Sequence, residues 1–237
     1  MKIERQLSLI PLLVVAFTFS GCSTAVSNYT PGPLAGHVAV PTAIVEISED
    51  IYHKSIATNA VVVFDVSWAR KWKCGDYQNA ELMKLEFDRL TGEPKALDAK
   101  ADLIIEGPPR LLRSPLYIHY ACLVTPGEYA LSGISIKVAR SIDDVGFLLT
   151  KRSDLIVGGE AKGGTFKVAA GEIVYIGHFY LDCYYGPTLW RYYSQTKEQF
   201  QGQVGEYITK YPFFEIERFR YRLFKTKYFG TDFDLPQ

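Results

Sequence analysis

The 237-residue chain lacks most of the sequence features that announce a chemistry. Its longest apolar run, Leu7 to Phe19, holds 13 residues and contains Pro11. A bilayer-spanning helix needs about 20 residues, so this run does not read as a membrane span. No HExxH, HxxxH or CxxC spacing occurs, which removes the usual zinc sites, and there is no GxSxG nucleophile elbow. The glycine-rich stretch Gly158-Gly159-Glu160-Ala161-Lys162-Gly163-Gly164 lacks the lysine–hydroxyl pair that closes a phosphate loop. It reads as a hairpin loop. An excess of either charge is missing too: 26 basic residues balance 26 acidic ones. That gives no electrostatic reason to expect nucleic acid as a partner.

What is present begins at the N-terminus. Lys2 and Arg5 precede the apolar run, and the small residues Ser20 and Gly21 lead into Cys22. This order is that of a bacterial secretory signal. The segment Phe19-Ser20-Gly21-Cys22 resembles the lipobox of bacterial lipoproteins, although Phe19 stands where that family usually carries an aliphatic residue. The resemblance implies cleavage before Cys22, attachment of fatty acids such as palmitate to that cysteine, and anchoring to the membrane through the lipid. Ser23 stands where an aspartate tends to retain such proteins in a Gram-negative inner membrane. It therefore implies the outer membrane, at the periplasmic face or the cell surface. An ordinary cleaved secretory signal is the alternative.

Residues 1–21 are thus expected to be a signal peptide. Residues 22–42, with Pro31-Gly32-Pro33 and Pro41, are expected to be an extended tether. Twenty extended residues reach on the order of 60 Å. Residues 43–237 suffice for a single well-buried domain. Removing residues 1–21 leaves 24 basic and 25 acidic residues.

Strand signals dominate that domain. Ala60 to Trp68 is β-branched and aromatic, and Glu81 to Leu90 alternates with period two. Asp102–Glu106, Leu116–Val124, Glu128–Ala139, Thr165–Ala169, Glu172–Asp182 and residues 214–229 also read as strands. Pro126-Gly127 is expected to make a tight turn, and Thr165–Ala169 to pair with Glu172–Asp182. One segment argues for helix: Phe200, Val204, Tyr207, Ile208 and Tyr211 share one face over 196–211, with Ser194 or Thr196 as cap and Pro212 as stop. The sum is a mainly β fold, an antiparallel β-sandwich with one late helix.

The run Thr125-Pro126-Gly127-Glu128-Tyr129-Ala130-Leu131, followed by Phe166-Lys167-Val168-Ala169-Ala170-Gly171-Glu172-Ile173-Val174-Tyr175-Ile176-Gly177, resembles a pattern in uncharacterised bacterial lipoproteins. There a PG-x-Y-x-L hairpin precedes F-x-V-x-x-G-E-x-x-Y-I-G in a prealbumin-like sandwich. The similarity covers about residues 115–212. It implies fold and surface location, with no known activity.

Cys74, Cys122 and Cys183 remain once Cys22 is set aside. Outside the cytoplasm two of them could bridge, in three pairings; otherwise they are small buried hydrophobes. Cys122–Cys183 is the favoured pair, because both fall in expected strands. His119 and His178 also fall in strands and could meet across a sheet. No carboxylate or thiol accompanies them in sequence, so partly buried, hydrogen-bonded histidines are expected, with no metal and no cofactor. Tyr184, Tyr185, Trp190 and Tyr192 cluster around Gly186-Pro187 and form the candidate ligand-binding surface for glycan or peptide. Arg218, Arg220 and Arg222 alternate with apolar residues, a basic stripe on an outward strand face. The resulting expectation is a lipid-anchored envelope protein, not an enzyme, acting as a structural or interaction module with an envelope protein or glycan partner. The alternative is a ligand-binding module built on the aromatic loop around Trp190.

Overall fold

A computed structural model of the protein describes residues 28–31, 47–93, 95–108, 117–230 and 232–235. Cys22 and the expected cleavage site lie outside the described residues. In chain order the elements are β1 (Asn28–Pro31), α1 (Glu49–Ser55), β2 (Ala60–Ser67), β3 (Lys71–Cys74), β4 (Tyr77–Arg89), β5 (Leu103–Glu106), β6 (Tyr117–Val124), β7 (Gly127–Ala139) and β8 (Val145–Thr150). Then follow α2 (Arg152–Leu155), β9 (Ile156–Val157), β10 (Glu160–Ala161), β11 (Thr165–Val168), β12 (Ile173–Asp182), β13 (Thr188–Tyr192), α3 (Lys197–Lys210) and β14 (Phe219–Tyr221). The fold is mainly β, with three helices where the sequence suggested one. No helix among the described residues is long and apolar enough to cross a membrane.

The first sheet runs β1-β8-β7-β4-β3, with β11 also paired to β7 and β5 to β4. The second runs β13-β12-β2-β6, with β14 also paired to β12. Its pairing is mixed: β12 lies parallel to both β2 and β14. The expectation of a purely antiparallel arrangement is corrected on this point.

Strand β2 shows why. Ala60, Val62, Phe64 and Val66 enter a core shared with Leu82, Leu85 and Phe87 of the first sheet, while Val61 and Val63 enter a second core with Tyr52 of α1 and Val204 and Tyr207 of α3. A strand covered on both faces becomes a continuous apolar run, the usual state of strands with parallel neighbours. Phe179 of β12 meets Phe87 of β4 with ring centroids 6.3 Å apart, tying the sheets together. Burying one such ring contributes about 1.5–3 kcal/mol.

Two expected hairpins are instead changes of sheet. Strands β6 and β7 flank Thr125-Pro126 but belong to different sheets, as do β11 and β12 on either side of Ala169–Glu172. At the first corner the Tyr129 hydroxyl donates to the Thr125 carbonyl at 2.8 Å, so the buried ring locks the bend. Strict alternation in β4 also breaks. A register shift between Leu82 and Lys84 lets Leu82 and Leu85, of opposite parity, face the same core.

Helix α3 starts where Thr196 accepts from the Gln199 amide at 3.2 Å, and Tyr211-Pro212 follows its end. The glycine-rich stretch forms the β9–β10 hairpin, whose turn residues Gly158 and Gly159 both take positive φ, at 61° and 81°. Residues 214–229 are not one strand. They form a short 3-10 turn, the three residues of β14 and irregular chain. Within the expected tether, Asn28–Pro31 instead form an edge strand on β8. Extended backbone suits such a position, and Pro31 needs no ladder donor at an edge.

Candidate functional site

The site is built on the one acidic residue inside the apolar run of β2. Asp65 is the register partner of His119 on β6 and of His178 on β12, so three polar side chains form a row across the second sheet, on the face that α3 covers. Asp65 is fully buried. A buried carboxylate needs partners, and three side chains provide them. His119 Nδ1 lies 2.6 Å from Oδ1, the Tyr207 hydroxyl donates to Oδ1 at 2.7 Å, and the Tyr117 hydroxyl donates to Oδ2 at 3.0 Å.

These contacts set the protonation of the surrounding groups. The hydrogen bond to Asp65 holds the His119 imidazole above its ordinary 6.5; burial opposes this, while the charges of Asp65 and Glu206 add to it. Burial, then the Asp65 carboxylate, push the hydroxyls of Tyr117 and Tyr207 well above 10, so both remain donors. His178 moves the other way. Burial pulls its imidazole below 6.5, more than the Asp65 charge raises it. The two histidines that flank Asp65 are thus displaced in opposite directions: His119 toward the imidazolium and His178 toward the neutral ring.

His119 Nε2 faces Glu206 Oε2 at 3.8 Å, so this ring lies between two carboxylates and not between a carboxylate and a nucleophile. Among the described residues no group of three or more His, Cys, Asp or Glu side chains could hold a metal ion.

Beside this network an open groove of about 450 Å³ runs between α3 and the β12–β13 edge. Tyr175 and His178 of β12 contribute to it, with Tyr192 at the end of β13 and Gly202, Gln203 and Glu206 on α3. Gln203 Nε2 donates to Glu206 Oε2 at 3.2 Å. That leaves Gln203 Oε1 and His178 Nε2 as buried polar atoms without a hydrogen-bond partner among the described residues, both belonging to side chains at the same groove. The His178 ring packs edge-on to Tyr117, with centroids 4.6 Å apart. Tyr192 is stacked on Tyr180 at 4.4 Å and is 54 % exposed.

The structure divides the residues singled out from sequence. Tyr192 reaches the groove. Tyr184 and Tyr185 form a strongly exposed T-shaped pair beyond the end of β12, and Trp190 is half-buried against the main core. These three do not line the groove. The expected basic stripe is occupied internally. Arg218 bonds Glu215 and the Gly171 carbonyl, Arg220 bonds the carbonyls of Glu217 and Phe219, and Arg222 grips Glu172 and the Lys167 carbonyl.

The disulfide expectation is also corrected. The bridge joins Cys74 to Cys183, with Cα atoms 4.5 Å apart, and Cys122 is a buried free thiol whose pKa burial raises to about 12. The reason is lateral. Strands β6 and β12 flank β2 on opposite sides, which places Cys122 two strand spacings, about 9–10 Å, from the strand leading to Cys183. A disulfide does not span Cα separations beyond about 7 Å.

Sequence reasoning missed Asp65, Tyr117, Tyr207, Gln203 and Glu206. One signal was available, since an aspartate inside a β-branched strand must be paired when buried. Comparison of the chain with protein-family models, curated proteins and solved structures found no match.

Proposed function

We propose that this is an exported, lipid-anchored envelope protein whose β-sandwich serves as a non-enzymatic interaction module. The observation that carries this reading is the Cys74–Cys183 bridge between β3 of the first sheet and the segment just after β12 of the second. Such a staple forms and persists in oxidising compartments and is rare in a reducing cytosol. It agrees with a secretory signal over residues 1–21, an anchor through acyl chains at Cys22, and an outer-membrane address from Ser23. The shared core of two facing sheets supports the sandwich. Its prealbumin-like character rests on the resemblance over residues 115–212.

The test is metabolic labelling of a Gram-negative host, expressing the full chain, with an alkyne analogue of palmitate. Label on the wild type and none on Cys22→Ser is the expected result. Equal label on the variant, or wild-type protein left unlabelled, overturns the anchor.

Within this reading the groove beside α3 favours a ligand-binding role over a purely structural one. The observation is the pair of unpartnered buried atoms, His178 Nε2 and Gln203 Oε1. Leaving such groups unpaired costs roughly 1–3 kcal/mol each, so a partner supplied by an envelope protein or glycan would recover that cost.

A further inference from the structure

We infer that the groove between α3 and the β12–β13 edge is a binding site for a neutral saccharide, with Tyr192 as the stacking platform and Gln203, His178 and Glu206 as readers of its hydroxyls. The inference rests on the proposed interaction role and assigns it a site and a ligand class.

Three observations select the ligand. First, the free hydrogen-bonding capacity includes a fixed acceptor. The Gln203 amide is held by its donation to Glu206, which leaves Oε1 as a buried acceptor at the groove wall with no partner among the described residues, and the Glu206 carboxylate accepts as well. His178 Nε2 adds a second unpartnered atom, on a ring that burial keeps neutral and that can donate or accept according to tautomer. The complement of such a set is a ligand rich in O–H groups.

Second, among the described residues no lysine or arginine lines the groove; the neighbouring cation is Lys71, whose Nζ lies over the Tyr180 ring 5.5 Å from its centroid, so a phosphate, sulfate or carboxylate ligand meets no cation within the groove itself. Its one carboxylate, Glu206, stands 3.8 Å from the His119 imidazole that Asp65 keeps above its ordinary pKa. A cationic ligand would meet a carboxylate already engaged by Gln203 Nε2 and facing His119. A neutral ligand remains.

Third, the groove offers an aromatic surface and an uncovered helix face opposite it. Tyr192 is 54 % exposed and is backed by Tyr180, giving a rigid ring of the kind on which the apolar face of a sugar packs. Across from it Gly202 has no side chain, and a Cβ built there would meet nothing within 4 Å. Glycine in a helix interior costs roughly 0.5–1 kcal/mol relative to alanine. Here it leaves the helix face beside the groove uncovered. The volume of about 450 Å³ lies within the range of about 300–1,000 Å³ common to small-molecule sites.

The glycine also supplies a test that does not depend on damaging the fold. Gly202→Leu places a bulky side chain at the groove, with a better helix former in open space. Gly205→Leu makes the same change on the same helix, also in open space, away from the groove. Full-length wild-type and variant proteins are titrated with a panel of neutral oligosaccharides (maltotriose, cellotriose, tri-N-acetylchitotriose and a galactose-containing trisaccharide), following the His178 imidazole signals by NMR. The expected result is that at least one sugar shifts those signals, that Gly202→Leu weakens its binding at least tenfold, and that Gly205→Leu does not. The assignment is overturned if no panel sugar moves the His178 signals, if both leucine variants bind like wild type, or if Gly205→Leu loses binding equally. Each outcome is read separately from lipid attachment at Cys22.

Discussion

His119 Nδ1 sits 2.6 Å from Oδ1 of Asp65, a carboxylate with no exposure to solvent, while His178 flanks the same aspartate from the opposite strand without bonding to it. The two imidazoles therefore have pKa values displaced in opposite directions.

Measured by NMR titration, with His119→Gln and His178→Gln for assignment, His119 should titrate above 6.5 and His178 below it. Stability follows the same signs. The raised pKa of His119 contributes stability that is complete below 6.5 and is lost as pH rises through its folded pKa. Glu206 and Asp65 support this contribution, and Lys210 opposes it. The depressed pKa of His178 acts inversely, costing stability as pH falls below 6.5 toward its folded pKa. In urea unfolding, the stability gap between wild type and His119→Gln should widen from mildly alkaline to mildly acidic pH. A gap that narrows toward acid would contradict the assignment.

Asp65→Asn keeps the shape but replaces one acceptor oxygen with a donor that faces the Tyr117 or Tyr207/His119 side of the network. Loss of a charge-assisted bond and burial of an unpaired group should destabilise the fold by about 2–4 kcal/mol. The His119 pKa should fall in the same variant. Urea unfolding and the imidazole titration measure the two effects.

The Cys74–Cys183 bridge closes a sequence separation of 109 residues. Chain-entropy reasoning sets a ceiling near about 4.7 kcal/mol for a loop of that order, and about 2–4 kcal/mol is the usual yield. Cys74→Ser/Cys183→Ser should lose that much stability, reduction of the wild type should reproduce the loss, and reduction should not affect the double variant. Cys122→Ala should remain sensitive to reduction, because its thiol is free.

Arg152 joins the first sheet to the loop that precedes β5. It bonds both oxygens of buried Asp88, at 2.5 and 3.1 Å, and the carbonyls of Ala96, Leu97 and Ala99. Arg152→Ala leaves Asp88 with Lys95 as its remaining charged neighbour, at 3.4 Å. A loss of about 2–4 kcal/mol is expected, with new cleavage between 95 and 102 under limited proteolysis. An unchanged digest would show that the loop is held by other contacts.

Local chemistry made much of the fold legible. The β-branched run from Ala60, the period-two segments and the one-faced apolar spacing of α3 each specify an element through side chains a few residues apart. Partners were not legible, because register and sheet assignment depend on residues far apart in the chain. His119 and His178 become neighbours of Asp65 through β2, 54 residues from His119. The same dependence hid the bridge to Cys74. Alternating arginines after residue 214 imitate a strand, but their guanidinium groups reach carbonyls and carboxylates, which holds an irregular chain in place. Tyr192 was found among exposed aromatics, whereas its groove needed α3 to be placed first.

The most direct measurement is the intact mass and non-reducing peptide map of the protein isolated from the membrane fraction of an expressing Gram-negative cell. The account predicts a chain that begins at an acylated Cys22, carries a Cys74–Cys183 cross-link and keeps Cys122 as a free thiol. A chain retaining residues 1–21, without lipid and with Cys74 and Cys183 reduced, would contradict it.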